Sequence, residues 1–172
     1  MDAASRDELL GGKASDPDAP ASVAVFEATH AYLVFRLGAG WFAVSAHAVQ
    51  EVVPSAPPVP VPGVPEFVSG VVNLAGRIVV QVDLAALLGQ ARDSSATELT
   101  SRCLILQVDG MPFALVADEV AGLVQLTASA LQAPLEAKEL TRESFTHEQR
   151  VVTVVDVSAV LAHAEASVGG IG

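Results

Sequence analysis

The sequence predicts an all-β protein built from two similar halves. Short runs of valine, leucine and phenylalanine alternate with turn residues, a pattern typical of small barrels. Residues 77–88 match residues 150–161 at six of twelve positions, and residues 32–53 match residues 103–124 at six of twenty-two. The two offsets, 73 and 71 residues, are nearly equal, so each repeat supports the other. Because each half is too small to bury much surface alone, we expect an apolar interface between them.

Strands are predicted where apolar runs lie between turn residues. Glycine-containing turns or Asp-Gly close the hairpins, and proline is kept out of the central strands. The predicted strands are residues 32–37, 41–44, two strands within 70–84, then 103–108, 113–116 and 151–155, with one more short strand within 127–149.

Short helices and a connector fill the remaining positions of the first half. Ser45 is expected to cap a short helix over residues 46–53, because three valines fall on one side of it. Residues 84–88 resemble one helical turn closed by Gly89. Residues 54–65 hold six of the ten prolines of the chain, which predicts an extended connector outside the sheet.

These elements lead to a predicted domain organisation. Residues 1–26 are rich in Asp, Ala, Ser, Gly and Pro, which predicts a disordered acidic tail. One domain is expected over residues 27–164, with its two halves at 30–90 and 101–163. Residues 165–172 are expected to be a flexible C-terminus.

Composition narrows the class of protein. The net charge of −11 argues against a general affinity for nucleic acid or anionic lipid. No apolar run approaches the roughly 20 residues of a membrane-spanning helix, and the first residues lack the pattern of a signal peptide. The single cysteine, Cys103, cannot form an internal disulfide, which agrees with a reducing cytoplasm. We expect a cytoplasmic protein that is not inserted into a membrane.

The sequence contains no pattern typical of catalysis or metal binding. None of the histidines lies three or four residues from another histidine or from Cys103, as zinc sites require. Cys103 opens a strand and is interpreted as a core residue. Gly38-Ala39-Gly40 leads into a strand pattern, so it is interpreted as a turn, not a phosphate-binding loop. We therefore expect no cofactor and no metal, and a binding module is favoured over an enzyme.

Two acidic residues and the proline-rich connector each have two interpretations. Asp83 and Asp156 occupy equivalent positions of the repeat, which favours a structural role as acceptors of backbone amides. The alternative is a carboxylate pair in a hydrolytic or small-molecule-binding barrel. The connector contains PxxP at residues 57–60 and 62–65, so a ligand of SH3-type domains is the alternative to a folded connector.

Five short motifs occur in an order that carries a family resemblance. They are a YLVF first strand, a VQEV segment, a proline-glycine connector, GVVNLxG and VDL, here Tyr32–Phe35, Val49–Val52, Pro62-Gly63, Gly70–Gly76 and Val82–Leu84. On these motifs the sequence resembles the CheW-like domain, a scaffold that couples chemoreceptors to the histidine kinase CheA. The resemblance covers residues 30–163. It implies two small five-stranded, SH3-like β-barrels packed together, with short helices.

The resemblance further implies an adaptor without enzymatic activity. Family members bind the regulatory domain of CheA, itself CheW-like, through equivalent barrel surfaces, and they bind the cytoplasmic tip of the receptor between the barrels. The matching partner-binding positions here are Val49, Glu51, Gly70, Asn73, Val120 and Val124. The three valines have an alternative interpretation as ordinary core residues. We expect recruitment to membrane-associated receptor arrays.

The chain departs from the family pattern at two positions. Ala75 stands where the family's NLRG turn has arginine, and Val80 replaces a usual proline. Arg77 lies two residues beyond Ala75, on the same face of a strand, and our hypothesis is that it partly replaces the missing guanidinium toward Glu51. Arg77 is therefore included among the predicted partner-binding residues, with an exposed arginine beside a turn as the alternative. The departures also favour an alternative function, a divergent scaffold for array positioning or for a pilus or developmental pathway.

Overall fold

The computed structural model describes residues 27–92 and 99–169, which consist mainly of short strands. The strands are β1 Thr29–Leu37, β2 Gly40–Ser45, β3 Val49–Pro54, β4 Val68–Leu74, β5 Arg77–Val82, β6 Arg102–Val108, β7 Met111–Ala117, β8 Glu119–Thr127, β9 Thr141–His147 and β10 Arg150–Val155. Two α-helices follow β5 and β10, namely α1 Leu84–Leu88 and α2 Val157–Gly169. Single turns of 3₁₀-helix occupy Ala46–Ala48 and Ala128–Ala130.

The strands form two five-stranded sheets, and each sheet takes strands from both halves of the sequence. Sheet A has the order β8-β1-β2-β10-β9, and sheet B has the order β3-β6-β7-β5-β4. The predicted halves, residues 30–90 and 101–163, therefore do not coincide with the sheets. The β1–β2 hairpin pairs with strands of the second half, and the β6–β7 hairpin pairs with strands of the first. A sequence repeat indicates which elements are alike, but not which of them hydrogen-bond to each other.

The repeat is nevertheless visible in the strand orders. Strands β1 and β2 of sheet A are equivalent to β6 and β7 of sheet B, and β8, β9 and β10 are equivalent to β3, β4 and β5. When each strand of sheet A is replaced by its equivalent, the order becomes that of sheet B. Each exchanged hairpin contributes one parallel pair, β2 with β10 and β7 with β5, while the other pairs are antiparallel. Parallel neighbours require a long crossover connection. Residues 83–110, which include α1 and β6, connect β5 to β7, and residues 46–149 connect β2 to β10.

The predicted apolar interface between the halves is confirmed by a large cluster that contains residues of both sheets. Leu33 and Phe35 of β1 lie in this central cluster together with Leu104 and Leu106 of β6. In β1 and β6, the residues between these leucines and phenylalanine point to the other face of the strand, into the interior of the sheet to which the strand belongs. These are Tyr32 and Val34 in sheet A, and Cys103 and Ile105 in sheet B. Because successive side chains point to opposite faces of a strand, the exchanged hairpins are buried on both faces.

The predicted helix over residues 46–53 is wrong. Only Ala46–Ala48 form a turn of 3₁₀-helix, Ser45 makes no side-chain cap, and Val49–Pro54 form strand β3. β-branched valines favour an extended conformation, and β6 supplies the antiparallel partner, with Val52 opposite Leu104. The periodicity of a run this short does not distinguish a helix from a strand.

Two elements at the end of the chain also go beyond the predictions. β8 is a strand of nine residues that was not predicted. Helix α2 continues to Gly169, so most of the predicted flexible C-terminus at residues 165–172 is helical. Helix α2 contains Ala159, Ala162, Ala164 and Ala166, and alanine has a high helix propensity. The predicted strands are all present, whereas the acidic tail at residues 1–26 lies outside the described residues.

Candidate functional site

Asn73 stabilises the turn that joins β4 to β5. Its side-chain Oδ1 accepts a hydrogen bond from the backbone N–H of Gly76 at 2.9 Å. Ala75 and Gly76 form the two-residue loop, with φ of 51° and 87°. Left-handed conformation at both positions suits the twist of a tight hairpin, although it costs alanine more than glycine. Asn73 and Arg77 are therefore held at an exposed hairpin end.

Glu51 and Arg77 come together across sheet B. Glu51 lies on the edge strand β3, and Arg77 is the first residue of β5. The distance between Glu51 Oε2 and Arg77 Nη2 is 4.0 Å, and both side chains are about half exposed. Such an exposed pair adds little stability, but it places one carboxylate and one guanidinium side by side on the surface. The hypothesis that Arg77 partly replaces the family arginine requires Arg77 to lie near Glu51, and the two side chains are this close.

Gly70 lies where the proline-rich connector touches the sheet. Val59 of the connector and Val71 of β4 exchange two backbone hydrogen bonds, at 2.8 and 2.9 Å. Gly70 has a φ of 139°, and a Cβ atom on it would lie 2.1 Å from the carbonyl oxygen of Val59. Glycine is required here for close approach of two backbones. Gly70 is buried and has no side chain, so it influences the surface only by allowing the connector to approach β4 closely.

The three predicted valines are half-buried packing residues. Val49 and Val120 occupy equivalent positions at the beginnings of β3 and β8, and both pack against the central cluster. Val124 packs against the interior cluster of sheet A. Their side chains therefore take part in the core, as the alternative interpretation stated, while each keeps some exposed surface.

An exposed apolar face on sheet B was missed from the sequence. Register brings its members together, because Val71 pairs with both Val59 and Val80, and Val80 pairs with Phe113. Side chains two residues apart share a face, which adds Ile78 and Met111. Exposure of the face members is 65% for Val59, 73% for Ile78, 43% for Val80 and 50% for Met111. We call these four residues the apolar face. The sequence feature that could have predicted it is the pair of alternate apolar residues Ile78 and Val80 in β5.

Asp83 and Asp156 have the structural role predicted from the repeat. Asp83 Oδ1 accepts the backbone N–H of Ala86 at 3.1 Å, and Asp156 Oδ1 accepts that of Ala159 at 3.1 Å. Both carboxylates therefore cap the helix that follows a strand, α1 or α2. The two aspartates cap different helices, and their second carboxylate oxygens lie near different arginines, Asp83 near Arg92 at 3.9 Å and Asp156 near Arg142 at 3.3 Å.

Two further side chains that could take part in chemistry, Asp118 and Cys103, are buried. Asp118 is buried, and its Oδ2 accepts the backbone N–H of Gly38 at 2.7 Å. Cys103 is buried in sheet B, and burial raises the pKa of its thiol to about 11, which disfavours the nucleophilic thiolate. Within residues 27–92 and 99–169, no group of three His, Cys, Asp or Glu side chains could hold a metal ion. None of the helices described is long and apolar enough to cross a membrane.

Comparison with known proteins assigns the chain to a family. The model of the CheW-like domain matches residues 31–165. The chain belongs to the CheW-like domain family. It is 29% identical over 140 residues to the chemotaxis protein CheW of Rhizobium meliloti, and 25% identical over 139 residues to a probable chemotaxis protein CheW of Rhizobium etli. Each alignment covers 77% of this chain and 88% of the relative.

A solved structure shares the CheW fold. The scaffolding protein TtCheW from Thermoanaerobacter tengcongensis aligns with a TM-score of 0.68 at 20% identity, over 76% of this chain and 90% of that protein. Membership of the CheW-like domain family makes the chain a non-enzymatic CheW-like scaffold domain, and it implies signalling proteins as partners. The alternative of a hydrolytic barrel is set aside by this membership and by the capping role of the two aspartates.

Proposed function

We propose that this chain is an adaptor that couples the cytoplasmic tips of chemoreceptors to a CheA-type histidine kinase in a chemosensory array. The observation that carries the proposal is the apolar face of sheet B on a domain of a scaffold family. The chemotaxis relatives named above favour this pathway over others. In this proposal the protein works in the cytoplasm and is recruited to membrane-associated arrays by the receptors it binds.

The apolar face receives the regulatory domain of the kinase, which is itself CheW-like. Ile78, Val80 and Met111 supply exposed apolar area, and burying such area contributes roughly 25 cal/mol per Å². Arg77, which directly precedes Ile78, and its neighbour Glu51 provide a charged border that orients the partner. The Asn73–Gly76 turn limits the face at the hairpin end.

The receptor tip is a helical partner and needs a different surface. Val49 and Val120, at equivalent positions beside the central cluster, are half-buried aliphatic residues with exposed surface left to cover. An amphipathic helix places its apolar face on such residues, and a single carboxylate such as Glu51 sets its register. In this proposal Glu51 contacts the receptor helix and, through Arg77, also borders the surface for the kinase.

Binding measurements with purified partners test the proposal. Ile78→Glu is expected to weaken binding of the kinase regulatory domain by about tenfold or more, because a charge is placed in a desolvated contact. Binding of the receptor tip is expected to stay unchanged. Leu123→Glu is a matched control, since Leu123 is 68% exposed against 73% for Ile78 and lies on β8 of sheet A. If the unmodified chain binds neither partner, or if both variants weaken kinase binding equally, the proposal is wrong.

A second candidate is a divergent scaffold that positions arrays or serves a pilus or developmental pathway. The observation in its favour is Ala75 in place of the family arginine, at a left-handed turn position where alanine has no conformational advantage. Binding to one partner without receptor-dependent kinase activation favours this candidate. Recovery of activation in Ala75→Arg would instead support the first, with kinase phosphorylation as the measurement.

A further inference from the structure

Each sheet has two edge strands, and in the described chain three of these four are covered or blocked. In sheet B, the edge strand β4 exchanges two backbone hydrogen bonds with the connector, through Val71 and Val59. In sheet A, the edge strand β9 does the same through Ser144 and Gln132, both at 2.8 Å. Strand β3 ends in Pro54, which has no N–H to donate. Covering segments and prolines are two ways in which proteins prevent edge strands from pairing with other chains.

The fourth edge strand, β8, lacks both kinds of protection. It is the nine-residue run Glu119–Thr127, it contains no proline, and β1 is its only strand neighbour among the described residues. A bulge at Ala121 interrupts its register with β1, but the pairing is regular over residues 122–127. The repeat makes the contrast with sheet B direct, because Gln125 of β8 is equivalent to Pro54 of β3 at an offset of 71 residues.

The backbone groups of alternate residues in β8 point away from the domain. The N–H of Asp118 donates to the carbonyl of Arg36 at 2.9 Å, so the even-numbered residues of β1 direct their backbone groups toward β8. Successive residues of a strand direct these groups to opposite sides, so the odd-numbered residues of β1 direct theirs toward β2. The β8 residues that pair with those odd-numbered residues are Leu123, Gln125 and Thr127. Their N–H and C=O groups therefore point outward, at the open edge of the sheet.

This edge belongs to the longest uncharged run of the sequence. Residues 120–135 contain no Asp, Glu, Lys or Arg. The one charged residue of β8, Glu119, lies 3.3 Å from Arg36 of β1. Two copies of a chain with a net charge of −11 repel each other, and the repulsion is smallest where the facing surfaces carry no charge. The uncharged edge therefore tolerates a second copy, whereas it has no charge with which to attract a basic partner.

The edge is also complementary to itself when two copies run antiparallel. With a two-fold axis at Gln125, this residue lies opposite its own copy, and Leu123 lies opposite Thr127 of the second copy. Each outward N–H then meets an outward C=O, which gives about six backbone hydrogen bonds. The two glutamine amides carry both donors and acceptors, and Leu123, which is 68% exposed, gains an apolar contact with the threonine methyl group. The paired segment ends before Glu119, so no like charges face each other.

We propose that β8 pairs with β8 of a second copy around a two-fold axis at Gln125, which joins the two copies of sheet A into one continuous sheet. The contact is small, so the dimer is weak and depends on concentration. It should become tighter as salt screens the repulsion between the two acidic chains. Strand β8 belongs to sheet A, so the pairing does not use the apolar face of sheet B. The inference concerns this chain alone and is independent of the partners proposed above.

Sedimentation equilibrium of the full chain, at loading concentrations from about 1 μM to about 1 mM, measures the dimer. Gln125→Pro introduces the residue that β3 has at the equivalent position. It removes an outward N–H and no hydrogen bond to β1, so we expect a folded chain whose dimer dissociation constant is about tenfold higher or more. Gln125→Val is the matched control, because it also removes the amide side chain but keeps the N–H. Its dissociation constant should stay within about threefold of that of the unmodified chain.

Disulfide formation tests the register. Opposite residues of a hydrogen-bonded antiparallel pair have Cα atoms about 5.5 Å apart, which a disulfide can bridge. Gln125→Cys is therefore expected to give a covalent dimer under mild oxidation. Leu123→Cys changes the same strand and the same face, but the two copies of residue 123 lie about 14 Å apart in this register, so it should cross-link at least about tenfold more slowly. The native Cys103 is buried and does not compete.

Three results would overturn the inference. The first is a monomer throughout the concentration range. The second is an equal loss of dimer in Gln125→Val and Gln125→Pro, which would assign the contact to the glutamine side chain and not to the strand edge. The third is cross-linking of Leu123→Cys as fast as that of Gln125→Cys. Circular dichroism shows whether each variant is folded, and if Gln125→Pro is not, the two cysteine variants decide the question.

Discussion

Sheets A and B have the same order of equivalent strands, but their interiors are filled differently. In sheet A the rings of Tyr32 and Phe145 pack 5.9 Å apart. The equivalent positions in sheet B are Cys103 and Val72, both much smaller. Gln81 in sheet B is the equivalent of Val154, and its buried Oε1 has no hydrogen-bond partner among the described residues.

The outer surfaces of the two sheets also differ, and here sheet B has the larger exposed apolar side chains. Sheet B exposes an apolar face that includes Ile78 and Val80, while on sheet A the corresponding region is a pocket partly enclosed by the chain around Leu135. The interior of sheet A therefore contains larger side chains than that of sheet B, whereas sheet B has the more exposed apolar face. One topology therefore holds an aromatic pair inside one sheet and an exposed apolar face on the other.

The largest expected effect is on the cluster that joins the sheets. Phe35 is fully buried in the central cluster, and Phe35→Ala is expected to lower the free energy of unfolding by about 3–5 kcal/mol. Because the hairpins are exchanged, both sheets should unfold in one transition. Chemical denaturation followed by circular dichroism and by Trp41 fluorescence measures this. Transitions that do not coincide would show that the sheets unfold separately.

The aromatic interior of sheet A should account for the next largest effect. Phe145→Val introduces the residue that sheet B has at the equivalent position, and we expect a loss of about 2 kcal/mol in the free energy of unfolding. Leu123→Val, at an exposed position of the same sheet, is the control and should change stability by less than about 0.5 kcal/mol. An equally small change for Phe145→Val would mean that the aromatic pair does not distinguish the two interiors.

The reverse exchange in sheet B should stabilise the protein. Gln81→Val introduces the equivalent residue of sheet A and removes a buried acceptor without a partner, so we expect a gain of about 1 kcal/mol, visible as a higher melting temperature. Gln107→Val, at an exposed position of β6, is the comparison variant and should not give this gain. Destabilisation by Gln81→Val would indicate that the amide has a polar role in sheet B.

The smallest expected effect concerns the charged border of the apolar face. Glu51 and Arg77 are about half exposed and 4.0 Å apart, so a double-mutant cycle with Glu51→Gln and Arg77→Gln should give a stability coupling of roughly 0.2–1 kcal/mol that decreases with salt. The same cycle measured through kinase binding tests whether Arg77 partly replaces the family arginine. If no coupling is found in binding, that hypothesis is abandoned.

Much of the local structure could be predicted because it depends on residues close together in the chain. Gly38 and Asp109-Gly110 mark hairpin turns, and Asp83 caps the helix that starts one residue later. The wrong helix over residues 46–53 shows the limit of this reasoning. Its valines are compatible with either conformation, and the hydrogen bonds from β6, about 50 residues away, favour the strand.

The candidate site could be predicted only in part. The family motifs indicated Asn73 and Glu51, and the departure at Ala75 drew attention to Arg77. The apolar face was missed, because its members come from the connector, β5 and β7, which are separated by up to 52 residues. Val59 and Met111 have no local feature that distinguishes them from core residues.

The amino-acid pattern alone was enough to establish short strands, two equivalent halves, the capping aspartates and the family resemblance. Periodicity, turn chemistry and repetition act over a few residues or at a constant offset. The exchange of the β1–β2 and β6–β7 hairpins became visible only in the folded chain. Strands that are apolar on both faces need a sheet on one side and a shared core on the other, and the position of these partners depends on the packing of the whole domain.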